Sequence, residues 1–256
     1  MRIWFYGDSW TRGDEASEEL NDTHSDICKT DLEYPYVGAF TETIQSKLSI
    51  ECINRGISGG SNMCALIRYC ADSRYRSSDD FVVLGLSDYF RLFSFSVTPG
   101  MYTDHILLDK LKSETVYNLQ NYSRGHQVAQ MKINNKKILI EEEKACLENT
   151  RMVCEAFIHM QKNKLLIFSA FTDYNYTTGH NKKLWKIMKP ILSSDKYESF
   201  LGAHSARQYL FDHCDNCFPG GMETGYEGKL FKQRHPNSKG YQIIGKYLAP
   251  VLSNRL

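Results

Sequence analysis

Short apolar runs alternate along this chain with longer stretches whose apolar residues recur at helical spacing. The run at 2–6 stops at Gly7-Asp8-Ser9 and predicts a first strand. Val37, Phe40, Ile44 and Leu48 fall on one face of a helix predicted over 35–48. A second strand is expected at 50–54, a helix at 62–75, and a third, wholly apolar strand at 81–86. The longest helical pattern covers 138–161 and leads into a fourth strand at 164–171. A helix at 182–192 and a short fifth strand at 208–212 come next. The last element is a helix at 238–252, with Ile243, Ile244, Tyr247 and Leu248 on one side. This order predicts βαβ units around a central parallel sheet. Residues 94–137 sustain no period and are rich in Tyr, Asn and Ser, which predicts an insertion or lid on one domain spanning 1–256.

Composition narrows the function. A length of 256 residues supports one large core. A net charge of +1 provides no general field for nucleic acid or an anionic membrane, so no nucleic-acid partner is expected. No segment reaches the roughly 18–20 consecutive apolar residues of a membrane span, and residues 1–8 lack the tripartite pattern of a signal peptide. The eight cysteines are scattered, several inside apolar runs, and predict reduced thiols in an intracellular setting rather than a disulfide framework. No phosphate-binding glycine motif is present, so no nucleotide cofactor is expected. Cys214-Asp215-Asn216-Cys217, preceded by His213, could form half of a zinc site completed by His204 or His180. Loop cysteines without metal are the reading preferred here.

Three dispersed clusters carry candidate chemistry. Ser9 follows the first strand directly, where an open α/β sheet forms its ligand crevice. Asn54-Arg55-Gly56-Ile57-Ser58-Gly59-Gly60-Ser61-Asn62 joins the second strand to a helix, and its glycines allow close backbone approach or positive φ. His235 stands just ahead of the last helix, with Pro236 and Ser238 as helix-start signals. A competing nucleophile is Ser58, because Gly56-Ile57-Ser58-Gly59-Gly60 fits G-x-S-x-G. That elbow needs several preceding strands, and one convincing strand precedes residue 50, so Ser9 is preferred. Tyr89, Phe90, Phe93 and Phe95, with Trp10 and Tyr102, are expected either to line a pocket or to cover the core edge.

Gly7-Asp8-Ser9, Asn54-x-Gly56-x-Ser58-Gly59, Leu84-Gly85-Leu86-Ser87-Asp88 and His235-Pro236-Asn237-x-x-Gly240-Tyr241 resemble, in order, the four blocks of the SGNH (GDSL-type) hydrolases. With Trp10, Thr11, Gly13, Tyr34-Pro35 and Ser61-Asn62, the pattern is similar to divergent members from phage genomes. The resemblance implies a three-layer α/β/α, flavodoxin-like fold and hydrolysis of a carboxylic ester. It makes Ser9 the nucleophile and His235 the general base. The N–H groups of Ser9 and Gly59 would be oxyanion donors, with the Ser87 hydroxyl where the family has an asparagine. Lys232 occupies the position of the family's usual aspartate. The group orienting His235 is then Asp212, Asp215, Glu223 or Glu227, or a main-chain carbonyl. The implied partner is a small-molecule or glycan ester. The implied location is cytoplasmic, or virion-associated for a phage-encoded chain. A non-catalytic binding module and acyl transfer to an acceptor other than water remain as alternatives.

Overall fold

The computed structural model describes residues 1–13, 39–57, 60–87, 89, 136–170, 186–202, 205–215, 217 and 235–256. Five strands pair throughout in parallel: β1 (Ile3–Tyr6), β2 (Cys52–Asn54), β3 (Phe81–Leu86), β4 (Leu165–Ser169) and β5 (Tyr197–Glu198). Their spatial order is β2-β1-β3-β4-β5. The chain therefore works outward from β1 in both directions, and the order reverses between β1 and β3. In doubly wound sheets of this order, ligands bind outside the carboxyl ends of the strands at that switch point.

Strand alternation sorts the core into two layers of side chains. Ile3, Phe5, Phe81, Val83, Leu166 and Phe168 face one side of the sheet. They pack there on α2 (Phe40–Leu48), α6 (Ala206–His213) and α7 (Ser238–Ser253). Trp4, Tyr6, Val82, Leu84, Leu165 and Ile167 face the other side. Their partners are α3 (Asn62–Ala71), α4 (Lys136–Gln161) and α5 (Lys189–Leu192). Parallel strands buried on both faces give continuous apolar runs, which is why β3 is apolar over its whole length. The result is the three-layer α/β/α sandwich with a central parallel sheet. On one face α7 lies close against α2, and a Cβ on Gly245 would meet the Phe40 carbonyl oxygen at 2.7 Å.

Asp80 fastens the amino-terminal edge of the sheet. Its carboxylate accepts from Arg2 N at 2.8 Å and from Trp4 Nε1 and Ser77 N at 2.9 Å each. β1 and β3 are thereby set in register from their first residues, with Ile3 opposite Phe81.

Two sequence expectations fail here. Residues 208–212 lie within helix α6, and the fifth strand is Tyr197–Glu198. Tyr209, Leu210 and Phe211 are an apolar run, but Ala206 and Leu210, four apart, are the residues buried beneath the helix. Cys214 and Cys217 are joined in a disulfide, against the expectation of reduced thiols throughout. Of the expected insertion, 94–135 lie outside the described residues, and 136–137 open α4. Among the described residues no helix is long and apolar enough to cross a membrane.

Candidate active site

Ser9 is the first residue of a four-residue helix, α1 (Ser9–Arg12), set immediately beyond β1. Asp8 caps it, its side chain accepting the Trp10 N–H at 3.0 Å. Gly13 ends it in the left-handed region at φ 94 and donates its N–H to the Ser9 carbonyl. So short a helix is not stable alone, and its neighbours hold it. Asn54 Nδ2 donates to the Thr11 carbonyl at 2.7 Å and to that of Arg12 at 3.3 Å, meeting acceptors that the helix leaves open.

The segment after β2 runs alongside this turn. Arg55 N donates to the Phe5 carbonyl at 2.8 Å and Ile57 N to the Gly7 carbonyl at 3.0 Å, extending the ladder past the strand end. A Cβ on Gly56 would come within 2.3 Å of Arg12 N, so the loop and α1 pass closer than any side chain allows. Asn54 Oδ1 accepts the Gly56 N–H at 3.0 Å. Beneath the loop, the Arg55 guanidinium grips Asp72 through two 2.8 Å bonds, with both side chains buried. Tyr6 donates its hydroxyl to Asp72 at 3.2 Å and accepts from Arg76 at 2.9 Å. Burial, with the Asp72 charge second, pushes the Tyr6 hydroxyl well above its usual range and keeps it a neutral donor.

β3 ends beside β1. A Cβ on Gly7 would meet the Gly85 carbonyl oxygen at 2.6 Å, and the Thr11 hydroxyl lies against both glycines. Ser87 follows one residue after β3, buried, with its Oγ lacking any hydrogen-bond partner among the described residues.

His235 comes from the far end of the chain, on the loop that starts α7. Asn237 caps that helix by accepting the Gly240 N–H at 3.1 Å and donates its own N–H to the Cys217 carbonyl at 2.8 Å. Cys217, disulfide-bonded to Cys214 at the end of α6, supports the histidine loop through that carbonyl. So held, His235 Nε2 lies 2.7 Å from Ser9 Oγ, across 226 residues of sequence. Serine and histidine stand at hydrogen-bonding distance on the carboxyl edge, next to the β1–β3 switch point.

Among the other expected site residues, Gly59 lies outside the described residues, as do Ser58, the competitor of Ser9, and Glu223, Glu227 and Lys232. The Asp212 carboxylate accepts from Gln208 at 2.8 Å on an exposed face, and Asp215 is exposed. Trp10 and Tyr89 are core residues, one in each side-chain layer, while Phe90, Phe93, Phe95 and Tyr102 are outside the described set. The disulfide occupies both cysteines of the possible zinc half-site, and His180 and His204 are outside the described residues. Among those described, no group of three or more side chains could hold a metal. Sequence reasoning missed the Arg55–Asp72 pair, whose partners are separated by 17 residues with no local pattern linking them.

Fold and site define an α/β protein of order 2-1-3-4-5 carrying a hydrogen-bonded Ser–His pair at its switch point. No protein-family model matches the chain, and no curated protein does. Among solved structures, it is similar to a member of the lipolytic protein G-D-S-L family from Veillonella parvula. That likeness has 14% identity, covers 100% of each chain and has a TM-score of 0.49. An α/β hydrolase enzyme from the metagenome of Lake Arreo, Spain, is similar at 12% identity, covering 98% of this chain and 94% of that one, with a TM-score of 0.48. An acetyl xylan esterase is similar at 14% identity, covering 98% of this chain and 100% of that one, with a TM-score of 0.42.

Proposed function

We propose that this protein is a serine hydrolase of the SGNH type that cleaves a carboxylic ester through an acyl-enzyme on Ser9. The 2.7 Å hydrogen bond between Ser9 Oγ and His235 Nε2 carries this reading. In the tautomer protonated at Nδ1, Nε2 accepts the hydroxyl proton as Oγ forms its bond to the ester carbonyl carbon. The carbonyl oxygen takes up the electron pair as an oxyanion. Its proposed donors are the N–H groups of Ser9 and Gly59 and the hydroxyl of Ser87. Collapse breaks the ester C–O bond, and His235 passes its proton to the departing alcohol. Water then repeats the sequence with His235 as base, which releases the acid and restores Ser9.

The proposed substrate is an acetylated carbohydrate or another small acyl ester. The group orienting His235 is proposed to be Asp215, Glu223 or Glu227, or a main-chain carbonyl. Because Asp212 is engaged by Gln208, Asp212→Ala is expected to leave turnover within about twofold, as surface substitutions away from a site generally do.

Reaction with a fluorophosphonate, followed by mass spectrometry, tests the assignment. The adduct is expected on Ser9, absent in Ser9→Ala. In His235→Ala, turnover of an activated acetyl ester is expected to fall by a factor on the order of 10⁴–10⁶. Failure to label Ser9 under conditions that label a control esterase would overturn the proposal and leave a binding module of this fold.

A further inference from the structure

Asn62 is the first residue of α3, yet its side chain does not serve the helix. The N-cap is Ser61, whose Oγ accepts the Cys64 N–H at 3.3 Å. Asn62 turns inward instead, with 4% of its surface exposed. Its Oδ1 accepts the Ser87 N–H at 2.8 Å, and its Nδ2 donates to the Ser87 carbonyl at 3.4 Å and to Thr150 Oγ1 at 3.3 Å. One carboxamide thus engages both main-chain polar groups of Ser87 and ties them to α3 and α4. The residue so clamped has a buried hydroxyl with no partner among the described residues.

A buried polar group left unpaired costs stability, and native structures keep few of them. Here the clamp and the idle hydroxyl belong to the same residue, beside the β1–β3 switch point. Both Nδ2 hydrogens of Asn62 are committed to protein acceptors, so its amide has none left for a substrate oxyanion. Resting on the acyl-transfer reading above, we infer that Asn62 is a positioning residue: it fixes the Ser87 main chain so that the Ser87 hydroxyl is held ready to donate to the oxyanion. The carboxamide supplied by α3 aims the donor that follows β3 without touching the substrate.

A positioning role acting through Ser87 predicts non-additivity, because residues that work through one another do not sum. The test is a double-mutant cycle of Asn62→Ala and Ser87→Ala on an activated acetyl ester, with amide hydrogen exchange at Ser87 measured alongside. Asn62→Ala should lower kcat by up to about 10²-fold, the scale of an approximately 1 Å misplacement, with KM nearly constant. The double variant should be no slower than Ser87→Ala alone, and the Ser87 amide should exchange faster once its acceptor is gone. If Asn62→Ala does not fold at the assay temperature, Asn62→Ser replaces it in the cycle, being too short to span to Ser87. Additive losses, or an unchanged kcat, would overturn the assignment, as would unchanged exchange at the Ser87 amide. The two readings fail differently. A wild type whose Ser9 takes no fluorophosphonate overturns acyl transfer and the role of Asn62 with it. A labelled Ser9 with additive losses overturns the role of Asn62 alone.

Discussion

Gly56 lacks a side chain because the backbone of α1 occupies the space where one would go. Its hypothetical Cβ meets Arg12 N at 2.3 Å, Arg12 Cα at 2.8 Å and the Asp8 carbonyl oxygen at 2.9 Å, all main-chain atoms that cannot rotate away. Gly56→Ala is therefore expected to push α1, and Ser9 with it, away from the loop. Overpacking of this kind costs about 1–3 kcal/mol, and misplacement near 1 Å slows turnover by up to about 10²-fold. Thermal unfolding together with the rate of fluorophosphonate labelling checks both numbers; a normal labelling rate would show that α1 yields harmlessly. The sequence made this glycine conspicuous without distinguishing its reason. Close approach explains Gly56, whereas among these turns the left-handed backbone belongs to Gly13. The placement of Ser9 and His235 was legible because a strand end and a helix start surround them. The clamp of Asn62 on Ser87 was not, since its partners are 25 residues apart and belong to different elements.

Elements were legible where a continuous apolar run or a long helical stripe marks them, as in β3 and α4. β5 escaped notice because two residues, Tyr197 and Glu198, carry no period at all. α6 was misread because Tyr209, Leu210 and Phe211 imitate a buried strand, although only Leu210 of the three is fully covered. The β1–β3 pair depends on a contact that no periodicity reveals, the grip of Asp80 on Arg2, Trp4 and Ser77. Burial works to raise this carboxyl, but hydrogen bonds from Ser77, Arg2 and Trp4 outweigh it and hold the group well below the usual carboxylate range. A depressed folded value means that the carboxylate stabilises the fold fully above the unfolded value of about 4, and that this share is lost as pH falls further. Asp80→Ala strips the buried Trp4 Nε1 of its acceptor and is expected to cost about 1–3 kcal/mol at pH 7. In urea unfolding, the gap between variant and wild type should narrow below about pH 4. A gap that stays constant with pH would show that the charge contributes nothing.

Over the whole molecule, the alternation of apolar runs and helices was sufficient to predict βαβ units around a parallel sheet, because strands buried on both faces read as continuous apolar runs. The three layers were implied by the resemblance to the SGNH hydrolases. The order 2-1-3-4-5 was not derivable from the runs themselves. It depends on which neighbours pair, and so does the placing of Ser9 at the switch point. The hydrogen-bonded Ser–His pair is drawn from opposite ends of the fold, Ser9 beyond the first strand and His235 at the start of the last helix, 226 positions later. Every shorter length of this chain that stops before His235 leaves Ser9 without its histidine partner. On the proposed acyl-transfer reading, a ribosome making the protein would extrude an inert polypeptide, with reactivity expected only once the start of α7 is in place. In refolding from urea, acquisition of fluorophosphonate reactivity should accordingly lag behind formation of the sheet, making Ser9 a clock for the last step of assembly.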